Sequence, residues 1–181
     1  MLIGLTGRNA SGKSTIVNWF SEKGMKTSSC SDSIRTWLSE QNIEPTRDAL
    51  IEGGRELRRQ GGAGVLAEML LEMLDGEDAV IDSIRTPGEV KALRERDDFI
   101  LIEVKTSPDT RWERSQSRAR AGDPLDRETF IKQEKAEAVA KDAAGQALNA
   151  TAELADLVII NDGTEDELNK DLEEMFMKLN N

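Results

Sequence analysis

One stretch of the sequence combines residue types and spacing that suit phosphate chemistry. Residues 7–14 read Gly-Arg-Asn-Ala-Ser-Gly-Lys-Ser and satisfy the phosphate-loop pattern G-x-x-x-x-G-K-[ST]. Glycines let the backbone turn tightly so that successive N–H groups converge on an anion, and a following helix adds its positive dipole end. We therefore expect the phosphates of a nucleotide to be bound by Gly7, Arg8, Asn9, Ala10, Ser11, Gly12, Lys13, Ser14 and Thr15.

Two side chains of this loop, and one carboxylate beyond it, have distinct expected tasks. The Lys13 ammonium is predicted to make a catalytic contact with the β- and γ-phosphates, and the Ser14 hydroxyl to bind Mg²⁺. A second metal position is predicted at Asp82, because residues 79–82 (Ala-Val-Ile-Asp) are an apolar strand ending in a carboxylate. Asp82 could instead cap the turn after the strand, and this alternative stays open.

Asp32 is the candidate for contacting the acceptor of a transferred phosphoryl group. It follows the second predicted strand at its carboxyl end, where ligands of open α/β sheets bind. Because the chain contains no histidine, we expect this carboxylate to orient the acceptor oxygen or to take its proton. The alternative is that Asp32 caps the helix over residues 33–38.

The basic residues fall into two groups. The first group precedes and follows the third predicted strand and contains Arg55, Arg58 and Arg59, with Arg35 and Arg85 expected nearby. The second contains Arg111, Arg114, Arg118 and Arg120, and the spacing of 111, 114 and 118 puts three guanidiniums on one helix face. Arginine binds phosphoryl oxygens with two donors, so a hinged segment of this kind is predicted to act as a lid. A solvated surface role is an open alternative for each arginine.

Composition excludes several classes of protein. The chain has 181 residues, one cysteine, no histidine and a formal net charge of −11. A single domain is expected, without a Ser-His-Asp triad, a Cys-His pair or an imidazole-bound zinc. An acidic surface does not attract nucleic acid, and the longest apolar runs are too short for a membrane span. We therefore expect a cytoplasmic protein that binds neither nucleic acid nor membrane and is a monomer or homodimer.

The elements that must position these residues alternate along the chain. Short apolar strands are predicted over 2–6, 25–29, 79–82, 99–104 and 157–160. Helices are predicted over 13–23, 31–39, 46–60, 65–74 and 165–179, with two or three more between 109 and 156. Alternation with long crossovers predicts an α/β fold in which a parallel sheet has helices on both faces.

The sequence resembles the nucleoside monophosphate kinase branch of phosphate-loop proteins, which includes dephospho-CoA kinases, and is most similar to an archaeal nucleotide-kinase-like group. Besides the loop, the matching stretches are residues 31–35, 54–59, 80–85, 114–120 and 155–163. This resemblance implies a three-layer α/β/α phosphate-loop fold with a five-stranded sheet in the order 2-3-1-4-5. It also implies a helical acceptor region near 31–75 and a small lid near 110–130.

The resemblance also implies residue roles. Arg35, Arg58 and Arg85 would bind the phosphate of the acceptor. The transferring phosphoryl group would be bound by the lid residues Arg114, Arg118 and Arg120. The turn after the fifth strand, with Asn161 and Gly163, would border the nucleotide base.

These observations support a principal hypothesis and two alternatives. The principal one is an ATP- and Mg²⁺-dependent kinase that moves the γ-phosphoryl group to a small acceptor, a nucleoside or deoxynucleoside monophosphate. A kinase with a dephospho-CoA type acceptor is the first alternative, although residues 82–85 differ from the usual continuation in that family. The second, of another class, is a regulatory or assembly ATPase in which water is the acceptor.

Overall fold

The computed structural model describes residues 1–119 and 123–180. Its sheet contains β1 (Leu2–Thr6), β2 (Lys26–Ser29), β3 (Ala79–Asp82), β4 (Phe99–Lys105) and β5 (Leu157–Ile160). The strands are parallel and lie in the order β2-β3-β1-β4-β5. The fold class and the strand order predicted from the sequence are confirmed.

Helices connect the strands and cover both faces of the sheet. They are α1 (Lys13–Glu22), α2 (Cys30–Glu40), α3 (Arg47–Gly61), α4 (Val65–Leu74), α5 (Pro87–Leu93), α6 (Pro108–Arg118), α7 (Arg127–Ala138), α8 (Leu148–Ala152) and α9 (Glu165–Leu179). The predicted bounds of α4 and α9 agree with the structure residue for residue. Helix α5 was not predicted, although its start carries a clear signal: Thr86 and Glu89 form a capping box around Pro87.

The central strand β1 is buried along its whole length, which explains its unbroken apolar sequence. On one face, its neighbours pack against α2, α4 and α5 through residues such as Leu38, Leu70 and Leu93. On the other face, α1 and α9 contribute residues such as Phe20 and Leu172. The sheet is thus the middle of three layers.

The parallel sheet brings the ends of distant strands to one edge. The register pairs Ser29 with Asp82, so α2 and the turn after β3 begin side by side. Residues 7–15 follow β1 at the same edge, and Asn161 follows β5. This is the edge where ligands of open α/β sheets bind.

The predicted acceptor region 31–75 contains most of α2 and all of α3 and α4, and the predicted lid 110–130 contains most of α6 and the start of α7. Arg120 lies outside the described residues. Within residues 1–119 and 123–180, no helix combines the length and apolar character needed to cross a membrane.

Candidate active site

The phosphate-loop segment needs glycine at two positions. Gly7 has φ 137°, and a Cβ there would lie 2.5 Å from the Val104 carbonyl oxygen. Gly12 has φ 96°, and a Cβ there would collide with the Asn161 amide. Other residues rarely adopt these φ values, so both the backbone angle and the close packing require glycine. The two glycines of the motif therefore fix the path of the loop.

The start of α1 is open to a ligand. Gly12 is its N-cap, and no side chain caps the first turn. Uncapped N–H groups at a helix start, together with the helix dipole, favour an anion. The Lys13 ammonium lies beside them and donates to the carbonyl oxygens of Gly7 and Arg8, both at 2.9 Å. The site thus places several donors where phosphate oxygens are expected.

Burial lowers the pKa of Lys13 to about 8, because the surrounding protein disfavours its charged form. The carboxylates of Asp82 and Glu137 act in the opposite direction, and the guanidiniums of Arg85 and Arg118 add to the lowering. An incoming polyanion favours the ammonium form. We therefore expect the neutral fraction of Lys13 to take up a proton when phosphate binds.

A cavity of about 320 Å³ surrounds the loop and contains both predicted metal ligands. Ser14 and Asp82 line it together with Thr15, Arg114 and Arg118. Asp82 ends β3 and accepts a hydrogen bond from the Ser83 N–H through one oxygen, at 2.5 Å. A hydroxyl and a carboxylate are the oxygen ligands that Mg²⁺ prefers beside phosphates. The donor set fits Mg²⁺, which Ser14 and Asp82 would hold and which would offset the negative charge of bound phosphates.

The side chains of Arg8 and Asn9 make contacts within the protein. Arg8 donates to the Glu134 carbonyl oxygen at 2.9 Å and to Asn149 Oδ1 at 2.6 Å. Asn9 Oδ1 accepts from the Ala10 N–H and from Arg118 Nη2. Arg8 therefore ties the loop to α7 and α8. The predicted nucleotide contact of Arg8 would therefore be made by its backbone.

Two arginines of α6 face the loop cavity. Arg114 Nη1 is buried and has no hydrogen-bond partner within the described residues. Arg118 donates to both oxygens of Asp123, at 2.7 and 2.8 Å, and to Asn9 Oδ1 at 2.9 Å. A buried guanidinium nitrogen is costly without a partner, so Arg114 is suited to a phosphate oxygen. Arg118 is already held in place by Asp123.

Arg111 does not share that role. It is buried, donates from Nε to the Thr106 carbonyl oxygen at 2.9 Å and forms an ion pair with Glu134 on α7. Its guanidinium also lies 5.7 Å from the Phe130 ring centre. For Arg111 the structure favours the alternative of an ion pair, because its side chain joins α6 to α7.

Asn161 lies beneath the loop. It is 5% exposed and donates from Nδ2 to the Ser11 carbonyl oxygen at 2.9 Å. Thr106, which sequence reasoning did not single out, donates to the carbonyl oxygens of Ser11 and Asn161. Gly163 is in the exposed turn that follows and lines a different cavity. Of these, Asn161 and Thr106 brace the loop from below.

A second cavity of about 320 Å³ opens between α2, α3 and α7. The predicted acceptor ligands Arg35, Arg58 and Arg85 all line it, and its lining also includes the apolar side chains Ile34, Leu50, Ile51 and Leu66. Sequence reasoning missed Arg47, which lines the same cavity. Arg58 is 5% exposed and donates twice to Glu89, a carboxylate that is fully buried. We refer to this space as the acceptor cavity and to the first as the loop cavity.

The two cavities adjoin. Asn9, Ser83, Arg85 and Arg118 line both of them. Ser83 has φ 65°, an uncommon angle for a residue with a side chain, at the point where the chain leaves β3 between the cavities. A group bound in one cavity and a group bound in the other are therefore both next to these shared side chains.

Comparison with known proteins agrees with this architecture. A family model described as an AAA domain matches residues 3–139, which is more than half of the chain. The chain belongs to the AAA domain family. The UPF0200 protein of Thermococcus onnurineus is 28% identical to this chain over 187 residues, covering 99% of the chain and 98% of the relative. A UPF0200 protein of Methanococcus maripaludis is 29% identical over 185 residues, with 99% and 98% covered.

Solved structures share the fold of this AAA domain. TT1252 from Thermus thermophilus superposes with a TM-score of 0.63 at 20% identity, covering 99% of this chain and 97% of that one. Shikimate kinase from Bacteroides thetaiotaomicron has a TM-score of 0.59 at 16% identity, with the same coverage. The APS kinase CysC of Mycobacterium tuberculosis has a TM-score of 0.53 at 15% identity, covering 97% and 96%. The phosphate-loop fold that the family resemblance implies is thereby confirmed.

One predicted catalytic residue of this AAA domain is not in either cavity. Asp32 is exposed and belongs to a capping box in which its carboxylate accepts from the Ser29 N–H at 2.9 Å. Ser29 Oγ in turn accepts from the Ser31 N–H at 3.2 Å. The carboxylate is used to start α2 and does not line the acceptor cavity, which favours the helix-capping alternative over the acceptor contact.

Proposed function

We propose that this protein is an ATP- and Mg²⁺-dependent kinase that transfers the γ-phosphoryl group to a nucleoside or deoxynucleoside monophosphate. The observation that carries the proposal is the junction of the two cavities. One cavity has the donors of a phosphate loop, the other has Arg35, Arg58 and Arg85, and Arg118 belongs to both. Phosphoryl transfer depends mainly on positioning the two reactants and stabilising charge, and two adjoining cavities that share two arginines suit that task.

The residues have separate tasks in the proposed reaction. Lys13 and the first turn of α1 bind the β- and γ-phosphates, and Ser14 and Asp82 hold Mg²⁺. Arg114, whose Nη1 is buried without a partner in the described chain, contacts the transferring group. Arg85 and Arg118, at the cavity junction, contact the γ-phosphoryl group and the acceptor phosphate. Asn161 positions the loop from below through Ser11.

The proposed bond changes need no general base. An oxygen of the acceptor phosphate forms a bond to the γ-phosphorus while the bond from that phosphorus to the β–γ bridging oxygen breaks. The products are ADP and a nucleoside diphosphate. A phosphate oxygen is already ionised at neutral pH, whereas a hydroxyl acceptor has a proton to lose. The lining carboxylates of the acceptor cavity, Asp123 and Glu137, are bound to arginines, which favours a phosphate acceptor over the hydroxyl of dephospho-CoA.

The names of the structural neighbours are consistent with this class of reaction. Shikimate kinase and APS kinase are named as kinases of small acceptors, and they share this fold at 15 to 16% identity. That likeness supports transfer to a small molecule. The arginines of the acceptor cavity support a phosphate-bearing one.

An acceptor panel tests the proposal. The purified protein is incubated with Mg-ATP and, separately, with AMP, CMP, GMP, UMP, the deoxynucleotides and dephospho-CoA. ADP formation and the diphosphate product are measured by chromatography, with Lys13→Ala as the inactive control. We expect one or more monophosphates to stimulate ADP formation and to yield their diphosphates. ADP release that no acceptor stimulates would contradict the kinase and favour an ATPase.

A further inference from the structure

One carboxylate of the acceptor cavity binds two of its arginines. Glu137 is on the last turn of α7, and its side chain is 12% exposed. Its Oε1 accepts from Arg47 Nη2 at 2.5 Å, and its Oε2 lies 3.5 Å from Arg85 Nη1. Arg85 is one of the residues at the junction with the loop cavity. Glu137 thus occupies the guanidiniums that an anionic acceptor would use.

Two other arginines in this cavity are paired with other carboxylates, whereas Arg35 is exposed. Arg58 binds the buried carboxylate of Glu89, and Arg118 binds Asp123 with two hydrogen bonds. Arg85 differs, because its other side-chain partner is the neutral Gln146, at 3.4 Å. An anion that enters the acceptor cavity therefore competes with Glu137 for Arg85.

The position of Glu137 is tied to the loop side of the molecule. One turn earlier on α7, the Glu134 carbonyl oxygen accepts from Arg8, and the Glu134 carboxylate pairs with Arg111. The charge of Glu137 also acts on Lys13 by favouring its ammonium form. The carboxylate is therefore held near the phosphate loop by α7.

The Arg47–Glu137 pair lies between two spaces. Both residues line the acceptor cavity and an adjoining cavity of about 240 Å³, which extends between α3 and residues 133–146. Ile51 and Gln146 line both cavities as well. The pair is therefore one part of the boundary between them, and it is the charged part.

We propose that Glu137 is a specificity-determining residue of the acceptor site, whose carboxylate stands in for the anionic group of the acceptor and is displaced from Arg85 by it. This inference rests on the proposed function and names the acceptor class as phosphate monoesters. A monoester carries a charge near −1.5 to −2 at neutral pH, so it outcompetes the single charge of a carboxylate. A neutral or monocarboxylate acceptor lacks that advantage and leaves the pair closed.

Calorimetric titrations of three variants test this role. Glu137→Gln removes the charge, Glu137→Asp keeps it, and Glu128→Gln removes a charge from an exposed position on the same helix as the matched control. Each protein is first saturated with Mg²⁺ and a non-hydrolysable ATP analogue, and AMP, CMP, GMP, UMP, their nucleosides and inorganic phosphate are then titrated. Thermal melts establish that every variant is folded.

We expect Glu137→Gln to bind the monophosphate and inorganic phosphate about tenfold more tightly than the original protein, because one competing charge is gone. Binding of the matching nucleoside should not change. Glu137→Asp and Glu128→Gln should stay near the original affinity for the anions. This contrast between an anion and its neutral counterpart is not produced by a general change in packing.

Other outcomes overturn the inference. Unchanged or weaker anion binding in Glu137→Gln would show that Glu137 only positions Arg47 and Arg85. Tighter binding in Glu137→Asp as well would assign the effect to shape. Failure of the proposed function is separate: no monophosphate would bind the original protein, while inorganic phosphate still reports on Glu137. Loss of phosphate binding from both the original protein and Glu137→Gln would overturn the inference itself.

Discussion

The loop cavity and the acceptor cavity hold their positive charges in opposite ways. In the loop cavity, the Lys13 ammonium contacts backbone carbonyl oxygens, and Arg114 Nη1 is buried without a hydrogen-bond partner among the described residues. In the acceptor cavity, Arg47 and Arg58 each bind a carboxylate of the protein. Arg118 belongs to both cavities and binds Asp123.

Because of this difference, the cations of the two cavities should contribute differently to ligand binding and to the stability of the fold. The fold loses little stability when a cation held only by backbone carbonyls is removed. Such a cation gains its strongest interaction when a polyphosphate binds. A buried arginine paired with a carboxylate has become part of the structure, because removing one partner leaves the other charge buried and unpaired. Substitutions in the loop cavity should therefore affect turnover. In the acceptor cavity they should affect stability as well.

The largest expected effect is on the acceptor side. Replacing Arg58 by Ala leaves the Glu89 carboxylate fully buried without its two strongest donors, which should lower the free energy of unfolding by about 3–5 kcal/mol. Chemical denaturation measures this loss. Arg59→Ala is the matched control, since Arg59 is 52% exposed and its pair with Glu56 is on the surface. Equal stability of the two variants would contradict the structural role of Arg58.

The next effect is on the loop side. Lys13→Ala removes the ammonium that should contact the transferring group, and comparable charge-stabilising donors are worth about 100- to 1000-fold in turnover. Stability should be unchanged or slightly higher, because burial already disfavours the charged form of Lys13. Acceptor-stimulated ADP formation and a thermal melt measure the two quantities, with the exposed Lys170→Ala as control. Normal turnover in a folded Lys13→Ala protein would refute the phosphate-loop assignment.

Proton uptake by Lys13 on nucleotide binding is a further test of the difference between the two cavities. Lys13 has a pKa of about 8 in the free protein, so it is about half protonated at pH 8. A bound polyphosphate favours the charged form and raises this pKa, so nucleotide binding should take up about half a proton at pH 8. Affinity should fall by as much as about tenfold per pH unit above pH 8. Calorimetry in buffers of different ionisation enthalpy measures the uptake, which should be absent in Lys13→Ala.

Most strands and helices of the fold could be predicted from local sequence patterns. The central strands β1, β3 and β4 were predictable because they are short, apolar and mostly buried, and the strand order followed from the family resemblance. The edge strand β2 is polar and not buried, so it was recognisable only from its place between two helices. Helix α5 was missed because it has seven residues, too few for an apolar period to be visible. Its capping box was readable as Thr86-Pro87-x-Glu89.

The site was less predictable where it depends on distant partners. The loop residues are consecutive, so one motif identified them. The role of Arg111 depends on Glu134 of α7, and that of Arg58 depends on Glu89 of α5. Arg47 and Glu137 are 90 residues apart and carry no motif, so only the fold brings them together. An arginine spacing predicts a helix face, but it does not say which carboxylate faces it.

The smallest expected effect concerns Asp32, where sequence and structure disagree. The capping box assigns its carboxylate to the Ser29 N–H, so Asp32→Ala should lower the free energy of unfolding by about 0.5–2 kcal/mol. Ser29→Ala removes the other half of the box and should cost a similar amount. Acceptor-stimulated turnover should persist in both variants, because neither side chain is placed at the cavity junction. A large loss of turnover in Asp32→Ala with normal stability would return this carboxylate to the acceptor and would require α2 to move when the acceptor binds.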